Sequence, residues 1–186
     1  MTDEQIHKLF QLMAGTTNVK RANIRSLYLD GVGEKIVPFC VEYFQQSDDA
    51  SFRSDLVQFV IRYGRSSQTA RKLAAQALQD PSHKVRRMAC AVMAYSLDTA
   101  LLPLLEAALD SEDEETMGNA QRAMDAITKQ DIHLFVKPTY DQWDVSQDRK
   151  GPPARDDVDR YIKKYAPDLV EPLTEILGDI YLDGGA

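Results

Sequence analysis

A helical pattern of apolar and small residues recurs along the middle of this sequence, at intervals of 33 and then 31 residues. The recurring positions are Phe52, Leu56, Phe59, Val60 and Tyr63; Val85, Ala89, Val92, Met93 and Ser96; and Thr116, Ala120, Ala123, Met124 and Ile127. A second helix precedes each of the last two copies, and the shift of 31 aligns Leu73 with Leu104 as core positions. Each unit is therefore predicted to be a helical hairpin that buries its apolar face by stacking on its neighbours.

The start of the middle copy, LQDPSHKVRRMA, resembles a HEAT repeat. The residues that carry the resemblance are Asp80, Pro81, Val85, Arg86 and Ala89, with a weaker match in LDSEDEETMGNAQRAMDAI. The resemblance covers residues 34–128. It implies an all-α fold, a right-handed α-solenoid of stacked antiparallel helical hairpins, and it implies a binding surface more often than an enzyme.

The third copy departs from this pattern. Thr116 stands at the position of Val85, no arginine matches Arg86, and Gly118 lies inside the expected helix. An interior glycine costs ~1 kcal/mol relative to alanine. We therefore expect this helix to be looser than the others or partly remodelled.

The residues that begin the second helix of the middle hairpin suggest structural roles. Asp80 is predicted to cap this helix, and Pro81 suits its first turn. Arg86 and its equivalent Arg53 are predicted to form hydrogen bonds between neighbouring repeats. Arg87 has no arginine at the matching positions, so no role in the repeat requires it.

The whole chain is predicted to form a single HEAT-like domain. Residues 1–33 are expected to be N-terminal capping helices, 34–128 the core repeats, 129–157 an irregular loop and 158–186 C-terminal capping helices. The loop is assigned because three prolines and a glycine interrupt the helical pattern there.

Composition favours a cytoplasmic protein. Cys40 and Cys90 both lie in apolar runs, which is typical of buried free thiols. The first ten residues lack the pattern of a secretory signal, and no apolar run reaches the ~18 residues of a membrane span. We expect no metal, no cofactor and no membrane partner.

Charge is distributed unevenly along the chain. Residues 1–90 contain 13 Lys and Arg against 9 Asp and Glu, whereas residues 91–186 contain 9 against 20. The halves therefore carry +4 and −11 within a net charge of −7. This distribution favours a protein partner with a basic surface and makes nucleic acid an unlikely partner.

Two surfaces are candidates for partner binding. The first is the ridge that the second helices would present on a concave face, with Arg62, Arg87, Tyr95 and Arg122 beside Gln58 and Ala91. Solvated helix faces with no partner are the alternative for each of these residues.

The second candidate surface is the irregular loop. Tyr140 and the single tryptophan, Trp143, stand beside Asp141 and Asp144. Aromatic side chains anchor interfaces, and carboxylates attract a cationic partner. The alternative is that Trp143 covers one end of the core.

Catalytic residues are not predicted. His7, His83 and His133 fall in different expected elements, and the nucleotide-binding, serine-hydrolase and zinc motifs are absent from the sequence. The DNA alkylation-repair glycosylases also stack HEAT-like hairpins, and Asp125 lies near the arginines of the ridge. The acidic half of the chain opposes such duplex binding.

These observations favour a non-catalytic protein-binding scaffold. Its size, acidity and lack of catalytic motifs suit an immunity protein that neutralises a cognate bacterial toxin, because many toxins are basic. An adaptor or chaperone-like subunit of a larger complex fits the same residues.

Overall fold

The computed structural model describes residues 1–136, 160, 162–164 and 166–178, and within these ranges it contains helices and no strand. The α-helices are α1 (Asp3–Ala14), α2 (Asn18–Ile24), α3 (Val37–Gln46), α4 (Ala50–Phe59), α5 (Gln68–Ala77), α6 (His83–Ser96), α7 (Leu102–Ala108), α8 (Glu114–Lys129), α9 (His133–Val136) and α10 (Val170–Leu177). The all-α prediction is confirmed for this part of the chain.

The chain divides into two compact units, Met1–Phe39 with Ser146–Ala186, and Cys40–Val145. The single domain with its four sections, and the right-handed solenoid, stay predictions.

In the first unit, α1 packs against α10, and the apolar stripe of α1 is completely buried. A capping box begins α1: Gln5 N–H donates to the Thr2 hydroxyl at 3.2 Å, and Thr2 N–H donates to the Gln5 side-chain oxygen at 2.9 Å. Lys20, on α2, also pairs with Asp168, which lies just before α10. Local capping and burial of one helical face therefore both support this pair of helices.

In the second unit, α6 lies between α4 and α8, α5 packs on α4 and α6, and α7 packs on α8. Of the fifteen recurring positions, all are buried except Tyr63, Ser96 and Met124, which are half-buried. Both cysteines are buried free thiols, and burial raises the pKa of Cys90 to about 12. The predicted core stripe is confirmed because helical spacing places those residues on one face.

Leu104 is a correction to the predicted core. Its side chain is 38% exposed, whereas Leu105 is 0% exposed. The aligned residue Leu73 is buried on α5, which packs against two helices, while α7 packs mainly against α8. The alignment placed Leu104 correctly in the sequence pattern, but among the described residues α7 packs mainly against α8 and leaves Leu104 exposed.

The start of α6 also differs from the prediction. Its N-cap is Ser82, so Asp80 and Pro81 lie before the helix. Asp80 Oδ1 instead accepts the Ser82 N–H at 2.8 Å, which orders the turn that leads into α6. In the third copy, α8 runs unbroken through Gly118, so this helix is not remodelled.

Gly64 lies where the turn after α4 meets the main chain of α6. A Cβ atom at this position would lie 2.8 Å from the Val92 carbonyl oxygen and 3.3 Å from the Ser96 nitrogen. Because main-chain atoms cannot move aside cheaply, Gly64→Ala is expected to lower the free energy of unfolding by ~1–3 kcal/mol. Urea denaturation of the purified variant measures this loss.

Gly118→Ala is the matched control. A Cβ atom there would meet only the end of the Arg122 side chain, at 3.8 Å, which is an ordinary contact. Removing an interior helical glycine is then expected to raise the free energy of unfolding by ~0.5–1 kcal/mol. A stabilising Gly64→Ala substitution would contradict the close approach of the turn to α6.

Candidate protein-binding surface

Arg53 joins the start of α4 to the turn before α6. Its Nε and Nη2 donate to the two carboxylate oxygens of Asp80, at 2.7 and 3.1 Å, and its Nη1 donates to the Ser47 carbonyl at 2.9 Å. The Arg53 and Asp80 side chains are 13% and 5% exposed. The hydrogen bonds from Arg53 therefore satisfy a buried carboxylate and fix the register of two neighbouring helices.

Arg86 makes the equivalent connection between α6 and α8. Its Nη1 donates to the carbonyls of Asp80 and Pro81, at 2.7 and 2.9 Å, within its own repeat. Its Nη2 donates to Asp113 at 2.8 Å and its Nε to the Thr116 hydroxyl at 2.8 Å, both in the next repeat. The prediction that arginines bond between repeats is confirmed, and we call these two connections the arginine bridges.

The two arginine bridges use different acceptors. Arg53 bonds Asp80, two residues before the N-cap of α6, whereas Arg86 bonds Asp113, which is itself the N-cap of α8. The Thr116 hydroxyl also donates to Asp113. These hydrogen bonds, from Thr116 first and then from Arg86, lower the pKa of Asp113 to about 2.

This lowered pKa predicts acid sensitivity. A carboxylate whose pKa falls on folding stabilises the protein above its unfolded pKa of ~4 and loses that effect as the pH falls through about 2. We expect the difference in free energy of unfolding between wild type and Asp113→Asn to be constant above pH ~5 and to shrink towards pH 2. Urea denaturation across this range measures it. A difference that stays constant down to pH 2 would contradict the role of Asp113.

The arrangement of helix ends defines the surface. Contacts between Arg53 and Asp80 and between Arg86 and Asp113 bring together the starts of α4, α6 and α8. At the other end, Gln130 Nε2 donates to the Leu97 carbonyl at 3.0 Å. The three second helices of the hairpins therefore run side by side in the same direction.

The predicted ridge residues lie on these helices and in the turn after α4. Arg62 is exposed, while Arg87, Tyr95, Gln58 and Ala91 are half-buried. Each of these side chains reaches the surface at least in part, and their role in binding stays a prediction.

Arg87 has a neighbour in the next repeat that its alignment did not indicate. Its Nη1 lies 3.8 Å from one oxygen of Glu115, and His83 Nδ1 lies 2.7 Å from the other. All three residues lie within the first five residues of α6 or α8. The guanidinium of Arg87 therefore lies beside the acidic start of α8.

Arg122 lies closer to the core than the ridge prediction implies. Its Nη2 donates to the Asn119 side-chain oxygen at 2.6 Å, and the buried Asn119 amide donates to the Glu115 carbonyl at 2.7 Å. Asp125, the acid of the glycosylase alternative, accepts from Gln121 at 3.2 Å. Arg122 therefore helps to order α8 as well as lying on the predicted ridge.

Sequence reasoning missed Arg65. Its Nε donates to the Tyr95 carbonyl at 3.1 Å, and its guanidinium carbon lies 5.5 Å from the centre of the Tyr95 ring. Arg71 Nη1 fixes the same turn by donating to the carbonyls of Gly64 and Arg65, at 2.8 and 3.1 Å. The shift of 33 places Asp98 at the Arg65 position, so the repeat pattern contained no signal for it.

The acidic run at residues 110–115 occupies the start of α8. Asp113 is the N-cap, and Glu114 and Glu115 lie in the first turn, where negative charge is favourable to the helix dipole. Asp110 and Glu112 are exposed. The run therefore stabilises the helix start and also leaves an acidic surface.

The histidines and acidic residues of the described ranges do not form a metal-ligating cluster. No group of three His, Cys, Asp or Glu residues there is placed to hold a metal ion. His7 packs edge-on against Phe39, with ring centres 4.7 Å apart, in a different unit from His83. Tyr140, Asp141, Trp143 and Asp144 lie outside the described residues.

Residues 70–133 match the family model of HEAT repeats. Neither the curated proteins nor the solved structures contain a match to this chain. Within the part of the chain that the structure describes, no helix has the length and apolar character needed to cross a membrane.

Proposed function

This chain is a HEAT-repeat protein over residues 70–133, and on that premise we propose that it is a non-catalytic scaffold that binds another protein. HEAT repeats generally mediate protein interactions. The proposed contact residues are Arg62, Arg87, Tyr95 and Arg122 on the ridge, and Tyr140, Asp141, Trp143 and Asp144 in the loop.

One observation carries this proposal: the arginine bridges hold α4, α6 and α8 in register. Arg53 and Arg86 each donate hydrogen bonds from two side-chain nitrogens to a neighbouring repeat. Since little ordering entropy is lost when a rigid surface binds, such a platform favours affinity. Half-buried Arg87 and Tyr95 lie on the same helix as Arg86.

We further propose that the partner has a basic surface and that the scaffold acts as an immunity protein. Exposed carboxylates cluster at the starts of the second helices, among them Asp110, Glu112 and Glu114. Such a field attracts cationic proteins and accelerates their association. A toxin that attacks nucleic acids or nucleotides fits this chemistry, because its own binding surface is basic.

Co-expression tests the immunity role. The product of the adjacent gene is expressed alone and together with this chain, and growth is measured. We expect toxicity that this chain relieves, with binding seen by titration calorimetry. An adjacent product that is harmless, or toxicity that co-expression leaves unchanged, would reject the immunity role; binding that leaves the partner active would indicate an adaptor.

Substitutions locate the contact surface in the same assay. Arg87→Met is expected to weaken partner binding, whereas Lys84→Met, which removes an equal charge from an exposed position on α6, is its matched control. Charge reversal at Asp141 and Asp144, or truncation of Trp143, tests the loop. Unchanged affinity in the loop variants would indicate that this segment has a structural role and does not contact the partner.

A further inference from the structure

Arg65, in the turn between α4 and α5, and Tyr95, at the end of α6, form a pre-arranged pair. The Arg65 side chain is exposed, although its guanidinium is held over the Tyr95 ring and its Nε bonds the Tyr95 carbonyl. Arg62 is exposed in the same turn, which packs on α6. We call Arg62, Arg65 and Tyr95 the arginine corner.

The second unit carries opposite charges at its two ends. The helix starts are acidic, and the arginine corner lies at the other end, where the exposed charges are positive. Near the ends of α4, α6 and α8 and the start of α5, the exposed charged residues are Arg62, Arg65, Lys72 and Lys129, and the Asp98 carboxylate there is paired with Arg71 at 3.2 Å. The exposed carboxylates near the helix starts are Asp48, Asp49, Asp110, Glu112, Glu114 and Glu115. The two ends therefore attract ligands of opposite charge.

We propose that the arginine corner binds carboxylate side chains in an acidic segment of the partner protein. A guanidinium held by a main-chain hydrogen bond and a cation–π contact has fewer orientations available, and its planar donors match a carboxylate. This inference rests on the proposed function, to which it adds a second contact: the partner has an acidic segment besides its basic surface.

A protein carboxylate fits the arginine corner better than a nucleic acid. Strong duplex binding needs several arginine or lysine contacts to consecutive phosphates. The corner offers two arginines, and the chain as a whole has a net charge of −7. A short acidic segment requires only a local match, so the surrounding negative charge opposes it less than it opposes a long duplex.

Fluorescence anisotropy with labelled octaglutamate tests this site on the full chain. We expect salt-sensitive binding that Arg65→Met weakens about tenfold, because charge-assisted hydrogen bonds are lost. Arg65→Lys keeps the charge but loses the planar donors, so it is expected to lose most of the affinity. Tyr95→Phe keeps the ring and should bind as wild type does, whereas Tyr95→Leu should bind more weakly.

Lys129→Met is the matched control, because it removes the same charge from the same end of the unit but outside the corner. Thermal unfolding by circular dichroism verifies that each variant is folded. Equal losses in Arg65→Met and Lys129→Met would overturn the proposal in favour of diffuse attraction, and absence of octaglutamate binding would overturn it outright. Tighter, Arg65-dependent binding of a short DNA duplex would assign the corner to nucleic acid instead.

The outcome is separable from that of the proposed function. A toxin that binds wild type and Arg65→Met equally would overturn the corner and leave the scaffold role intact. Arg65-dependent octaglutamate binding without any toxin partner would support a carboxylate site and reject the immunity role.

Discussion

Replacing Leu105 with alanine is expected to lower the free energy of unfolding by ~2–5 kcal/mol, the range for a fully buried leucine. Leu105 is 0% exposed on the face of α7 that packs against α8. The loss combines the transfer of the removed methyl groups with the cavity they leave. Urea denaturation measures it, with the slope against urea concentration used to check that the folded state is otherwise unchanged.

Leu104→Ala is the control for this prediction. The two leucines are adjacent and chemically identical, but Leu104 is 38% exposed, so its truncation should change the free energy of unfolding much less. Equal losses at the two positions would show that a surface covers Leu104. Neither substitution touches the ridge or the arginine corner.

Replacing Arg53 with methionine is expected to lower the free energy of unfolding by about 3 kcal/mol. The substitution leaves the Asp80 carboxylate, 5% exposed, without the two hydrogen bonds that Arg53 donates. A carboxylate buried beside an apolar side chain is costly because it has lost its hydration. Denaturation of the single variant, with Lys84→Met as an exposed control, measures the loss.

A double-substitution cycle isolates the bridge from other effects. Asp80→Leu alone also loses its bond to the Ser82 N–H, whereas Arg53→Met with Asp80→Leu removes both charges together. We expect the double variant to be more stable than the sum of the single losses predicts. Strict additivity would contradict direct coupling between Arg53 and Asp80.

Much of the fold was predictable because amphipathic helices show themselves in local spacing. Phe52, Val85 and Thr116 are all buried at the matching positions, although Thr116 is polar. The role of Arg86 was predictable for the same reason, since Arg53 recurs at the same place in the preceding copy. Repetition therefore indicated residues whose task is the same in each repeat.

The remainder could not be predicted from spacing. Ser82 rather than Asp80 occupies the N-cap position of α6, and the Asp80 carboxylate in the turn before it accepts from Arg53 and from the Ser82 N–H. Arg65, in the turn after α4, meets Tyr95 on α6, which is 30 residues away in sequence. These contacts form between residues of different repeats or turns, so they depend on how the neighbouring turns are placed.

The sequence by itself determined that this chain forms amphipathic helices, which face of α4, α6 and α8 is buried, and that arginines connect the repeats. These properties follow from residue periodicity, which each helix expresses on its own. Only the tertiary structure decided that Leu104 is exposed, that Gly64 meets the main chain of α6, and that Asp113 is the acceptor for Arg86. Each of these depends on the atoms that a neighbouring element brings to the position, and helical periodicity contains no information about them.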